Sequence, residues 1–124
     1  MNKSSRPVYL NPFQFLPLAA IASITHRVTG VVLFAAMALF LYLVDTALES
    51  DAGFAEVTEF VGGPTIKLLT WAALAALIYH LIAGVRHLLL DFHIGDTLQG
   101  GRRTSQATFV VSAVLIVLTG LWIW

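Results

Sequence analysis

The chain has 124 residues, 58% of them hydrophobic and only 11% charged, with a mean hydropathy of +0.84. That composition excludes an ordinary soluble domain and points to one polytopic, all-α integral membrane domain over 1–124. A net charge of zero with scattered cations gives no reason to expect nucleic acid, and the absence of cysteine excludes disulfides, iron–sulfur ligation and thiolate chemistry within this chain, leaving any metal to His or carboxylate.

Residues 1–17 read as a cytoplasmic or interfacial arm, spaced by Pro7, Pro12 and Pro17, with Tyr9, Phe13 and Phe15 suited to the membrane surface or a partner. The arm matches neither a cleavable signal peptide nor an Arg/Ser-rich transit peptide, and a bacterial inner membrane is the simplest location. Pro17 fits the first turn of a helix, where its missing N–H is not needed. The first span covers 18–48, and its uninterrupted apolar core, Val28 to Val44, reaches with its flanks the roughly 20 residues a bilayer requires. Near its start lie Ser23, His26, Arg27 and Gly30, spaced i, i+3, i+4 and i+7 and therefore on one helix face. Ionisable groups at such a depth are costly and face a bundle interior or a bound polar group.

Asp45, Glu49 and Asp51 end that run; a segment with Glu56 and Glu59 leads to the boundary Gly62-Gly63-Pro64. The second span, 65–92, carries His80, Gly84, His87 and Asp91 at i, i+4, i+7 and i+11, again one face. Gly95, Gly100 and Gly101 read as a loop, with Arg102 and Arg103 just ahead of the third span, 105–124. Three alternating spans place Lys3, Arg6, Arg27, Arg86, Arg102 and Arg103 on one side and Lys67 on the other, which predicts a cytoplasmic N-terminus and an external C-terminus. Tyr42, Trp71, Trp122 and Trp124 then form an outer aromatic belt.

A small residue between His80 and His87 leaves room for a flat group, and haem, usually held by imidazole, is the obvious one. The two histidines rise about 10 Å apart along one helix and point the same way, so they cannot face each other across one iron. His26 reads as too shallow to face His80, His93 lies beyond the helix end, and the third span has no histidine. If His80 is axial, its opposite ligand comes from a second chain. Arg27, His26, Arg86 and His87 then ring the cytoplasmic edge, where guanidinium groups pair with haem propionates.

Plainer readings exist for each residue. His80 can serve as an interhelical hydrogen-bonding group, and Gly30 and Gly84 as packing sites. Arg86, Arg102 and Arg103 read more naturally as topology and headgroup anchors than as site residues. Ser23 can bond back to its own helix, Asp91 can neutralise Arg86 or Arg27, and His93 reads as solvated.

The stretches Ser23-Ile-Thr-His26-Arg27-Val-Thr29-Gly30 and His80-Leu-Ile-Ala-Gly84-Val-Arg86-His87-Leu-Leu-Leu-Asp91, after the leading Arg6-Pro7, resemble the two signatures of the cytochrome b (C) subunit family of succinate dehydrogenase. The resemblance covers nearly the whole chain. It implies a three-helix membrane anchor in a heteromeric helical bundle, not an enzyme in isolation. It implies His80 as an axial ligand of haem b shared with a second hydrophobic anchor subunit, and Ser23 and Arg27 at a ubiquinone site near the cytoplasmic side. It further implies His26, Arg27 and His87 near the haem propionates, and a flavoprotein and an iron–sulfur subunit as the source of electrons from succinate. Leu90 stands where the family pattern is aromatic or Met, and His93 where it is small. The rival readings are a fumarate reductase anchor, a small non-haem transporter or proton-conducting subunit, and a purely structural anchor.

Overall fold

The computed structural model describes residues 18–124, so the expectations for the arm and for Pro17 lie outside the described residues. These residues form helices only: α1 (Leu18–Glu49), α2 (Asp51–Gly62), α3 (Pro64–Asp91) and α4 (Leu98–Ile123). Helices α1, α3 and α4 are long and apolar enough to cross a membrane, and at about 1.5 Å per residue each exceeds a hydrocarbon core of about 30 Å.

Each break between helices has a local cause. Ser50 caps α2, its hydroxyl accepting from the Gly53 amide at 3.0 Å. The segment carrying Glu56 and Glu59 is thus a short helix of its own, laid against α1. Gly63 ends α2 in an extended conformation (ψ 144°), and Pro64 opens α3 at a position that needs no N–H donor.

The end of α3 is a Schellman turn, with the Ile94 amide bonded to Leu89 O and the His93 amide to Leu90 O, both at 2.9 Å. His93 sits at the left-handed position of that turn, with φ 60°, where glycine is the usual occupant. It is exposed, and its 3.3 Å contact with Asp96 lies in solvent, where such pairs contribute little. His93→Gly therefore raises the stability of the protein by about 1 kcal/mol, read as a higher thermal denaturation midpoint of the detergent-solubilised protein; an unchanged or lower midpoint refutes the account.

Of the loop expected at Gly95, Gly100 and Gly101, the last two are instead helical, as are Arg102 and Arg103 just after them. Thr97 caps α4, accepting from the Gly100 amide at 3.0 Å, and the Gly101 amide reaches Thr97 O at 2.7 Å. A side chain at Gly100 would stand 2.8 Å from Gly95 O, so glycine is there for a close backbone crossing and not to break the helix.

Small residues bring α1 and α3 together: Ala22 and Ala83 are each 1% exposed, and the Tyr79 hydroxyl donates to Ala22 O at 3.0 Å. On α4, Ser105, Thr108 and Ser112 form a buried row at i, i+3 and i+7, and Tyr79 meets Phe109 at 5.6 Å between ring centroids. At the far end of the bundle the Trp71 indole donates to Ile116 O at 3.0 Å. Most other large apolar side chains of the long helices are exposed, as lipid or partner helices require. A concavity of about 570 Å³ between α1 and α2, beside Tyr42, Glu56, Glu59 and Phe60, lies at the end away from the histidines.

Arg86 departs from its expected role. It is 6% exposed, with Nε donating to Thr104 Oγ1 at 3.2 Å and Nη2 to Gly101 O at 3.5 Å. A headgroup anchor would extend into the interface; this guanidinium instead joins α3 to the first turns of α4. It is therefore neither a headgroup anchor nor, in this arrangement, paired with Asp91.

Candidate functional site

The α1 face carrying His26 and Gly30 meets the α3 face carrying His80, Gly84 and His87. The His26 and His80 rings stack with centroids 4.1 Å apart and planes 19° from parallel, and His87 stands 5.0 Å from His26 on the other side, tilted by 44°. All three imidazoles are half-buried. The two glycines admit the rings. A Cβ at Gly30 would come within 3.1 Å of His80 Cε1, while one at Gly84 would make ordinary contact with His26 Nε2 at 3.6 Å.

His26 thus reaches the level of His80, against the expectation that it lies too shallow. Counted from the helix ends, His26 is 8 residues into α1 and His80 is 11 residues from the end of α3. At about 1.5 Å per residue those depths are about 12 and 16 Å, less than one turn apart. The rings nevertheless meet face to face, not nitrogen to nitrogen, so the stack is not the geometry of two ligands across one metal.

The hydrogen bonds around His80 determine its tautomer. Nδ1 lies 3.0 Å from the His26 carbonyl oxygen and 3.2 Å from Thr29 Oγ1. A carbonyl oxygen only accepts, so Nδ1 carries the hydrogen, and in the neutral ring the lone pair is left on Nε2. An imidazole whose distal N–H is held by a backbone carbonyl is the usual second-shell arrangement of a metal-ligating histidine. Among the described residues no three His, Asp or Glu side chains converge to hold a metal ion. His80, with its Nδ1 hydrogen engaged and its Nε2 lone pair left over, has the chemistry of a haem-iron ligand.

The other expected site residues stand near this cluster on α1. Ser23 is half-buried, one turn before His26, and Arg27 is exposed beside it. Arg86, expected at the same edge, is turned toward α4. Thr29 and Tyr79 carry contacts that sequence reasoning gave no role. Thr29 is one turn beyond His26 on the same face, a spacing that signals a shared partner; nothing in the pattern distinguishes Tyr79 from the apolar residues around it.

Residues 3–119 match the family model described as succinate dehydrogenase/fumarate reductase transmembrane subunit. The chain is 41% identical over 123 residues to the succinate dehydrogenase cytochrome b556 subunit of Coxiella burnetii, covering 98% of each chain. It is 36% identical over 121 residues to the subunit of that name from Paracoccus denitrificans, covering 96% of this chain and 92% of the relative. The Rickettsia felis subunit of that name is 29% identical over 123 residues, with 98% and 93% covered.

Proposed function

The chain belongs to the succinate dehydrogenase/fumarate reductase transmembrane subunit family, and from that premise we propose that it anchors a succinate:quinone oxidoreductase, holds haem b together with a second hydrophobic subunit, and forms one wall of the quinone-reduction site. The observation that carries the reading is His80: a half-buried imidazole on a rigid helix, its Nδ1 hydrogen engaged by α1 and its Nε2 lone pair left for a metal. Relatives named as b-type cytochrome subunits agree with it.

In this reading the N-terminus is cytoplasmic. The end of the bundle with the imidazoles also holds Arg27, Arg102 and Arg103, while Asp45, Glu49, Asp51, Glu56 and Glu59 crowd the other. Cations on cytoplasmic ends favour that orientation in a bacterial inner membrane. His80 would hold the haem iron through Nε2. A second hydrophobic subunit would share in holding it, since His26 stacks on His80 and His87 leans on His26. His26 and His87, with Arg27, would pair with its propionates. Haem, when bound, would supply a one-electron redox centre.

Ser23 and Arg27 act on the quinone itself. Electrons arrive from a docked iron–sulfur subunit, which draws them from succinate through a flavoprotein. As the quinone is reduced, negative charge grows on its carbonyl oxygens. The Arg27 guanidinium orients the ring and stabilises that charge, and the Ser23 hydroxyl donates to a carbonyl oxygen and helps deliver a proton. Both sit on a helix, which favours exact placement.

A reduced-minus-oxidised optical spectrum of the intact complex tests the reading. A b-type α band, together with quinone-dependent succinate oxidation that disappears when this chain is deleted, is the expected result. A complex with no such band refutes haem binding and favours a transporter-like or purely structural anchor.

A further inference from the structure

The α1 backbone forms a collar around the His80 ring, and Thr29 holds a place in it that ligation alone does not explain. Thr46, Thr58 and Thr119 also bond back to carbonyls of their own helices, at 3.0, 2.8 and 2.8 Å, on exposed faces. That is ordinary behaviour for threonine in a helix. Thr29 does the same, reaching His26 O at 2.8 Å and Thr25 O at 3.0 Å. It differs in that its oxygen also meets a ring nitrogen on another helix, His80 Nδ1 at 3.2 Å.

The donors and acceptors can be assigned. Thr29 has one hydroxyl hydrogen, and the backbone carbonyls take it. Toward His80 the same oxygen therefore presents a lone pair. Nδ1 must donate, because His26 O can only accept, so its hydrogen is shared between a backbone and a side-chain acceptor. Gly30 keeps the ring tight against α1, with 3.1 Å between His80 Cε1 and the place of a Cβ. Translation of the ring is thereby limited by contact, and its rotation is left to these two hydrogen bonds.

We infer that Thr29 is a positioning residue: with the His26 carbonyl it locks the orientation and tautomer of His80, and through the shared Nδ1 hydrogen it sets how strongly Nε2 donates to a bound metal. The inference rests on His80 being the axial ligand. Acceptance of a hydrogen bond from the distal N–H raises the basicity of a ligating imidazole. A more basic ligand favours the ferric over the ferrous state, so the hydroxyl oxygen holds the midpoint potential down.

The test uses the whole complex in its native membrane, with Thr29→Val, Thr29→Ser and His80→Ala compared by haem content, optical redox titration and the low-spin ferric signal. Valine keeps the branched shape and removes the acceptor; serine keeps the acceptor and drops a methyl. Thr29→Val is expected to move the ferric-to-ferrous ratio at a fixed poise about threefold toward ferrous, the effect of losing one of the two acceptors on the shared hydrogen, with Thr29→Ser close to wild type. Loss of haem in Thr29→Val with retention in Thr29→Ser also supports the role. Identical titrations of Thr29→Val and wild type overturn it, as do equal shifts or equal losses in both variants. Retention of haem in His80→Ala that persists when His26→Ala is added overturns the axial assignment, whereas haem lost only in that pair supports it through His26, 4.1 Å away; either result is read separately from any comparison at Thr29.

Discussion

His80→Ala is expected to abolish the b-type absorbance of the assembled complex. The side chain supplies the Nε2 lone pair that the hydrogen bonds at Nδ1 leave available, and alanine offers nothing in its place. One neighbouring group could mask the loss. The His26 ring lies 4.1 Å from that of His80, so once His80 is truncated it can turn into the vacated space. The pair His26→Ala/His80→Ala removes that escape and should leave no haem at all. His87→Ala, by contrast, should retain haem, because His87 contacts His26 and has no described contact with His80. Haem content per complex, measured on membranes with equal amounts of assembled protein, decides the matter. Wild-type content in the double variant would place the ligand elsewhere.

Much of this was legible in the residues. The spacing His80, Gly84, His87 on one helix face predicts room between the two histidines for a flat group, expected to be haem; the structure places the His26 ring from α1 there instead. The three long helices follow from uninterrupted apolar runs. What was not legible depends on how two helices are set against each other. Whether His26 meets His80 turns on a depth difference smaller than one turn, and apolar runs do not locate helix ends that finely. The role of Arg86 turns on where α4 begins. Gly100 and Gly101 read as a loop because glycine weakens helices, yet the Thr97 cap and the close approach of Gly95 to Gly100 extend α4 to Leu98. That extension brings Thr104 and Gly101 O under the guanidinium. Without it, Arg86 has only Asp91 as a visible partner and reads as a surface anchor.

The same geometry divides work among residues that share a charge. Arg86 is consumed inside the bundle, and its buried donors stabilise the α3–α4 pairing at the end where the imidazoles lie. Arg27, one position beyond His26 on α1, is exposed. A buried guanidinium turned toward α4 is poorly placed to meet charge developing on a ligand, whereas an exposed one can be directed at it. Of the two arginines that the sequence places at this end of adjacent helices, Arg27 is the one that the proposed function gives to the quinone.

Arg27→Ala is accordingly expected to lower quinone-dependent succinate oxidation by roughly 10²-fold or more, the usual effect of removing one preorganised donor from a developing oxyanion. Succinate oxidation with an artificial acceptor that takes electrons ahead of the membrane should persist, because the soluble subunits carry that activity. Arg27→Lys should fall between the two, since an ammonium keeps the charge and loses the rigid fork. Ser23→Ala should cost less, about tenfold, as one neutral hydrogen bond of about 1–1.5 kcal/mol does. The comparison is made at equal haem content, so that a disturbed propionate edge is not mistaken for a lost quinone contact. Quinone reduction at the wild-type rate in Arg27→Ala would remove Arg27 from the site. A parallel fall in artificial-acceptor activity would show that the substitution disrupts assembly and not quinone chemistry.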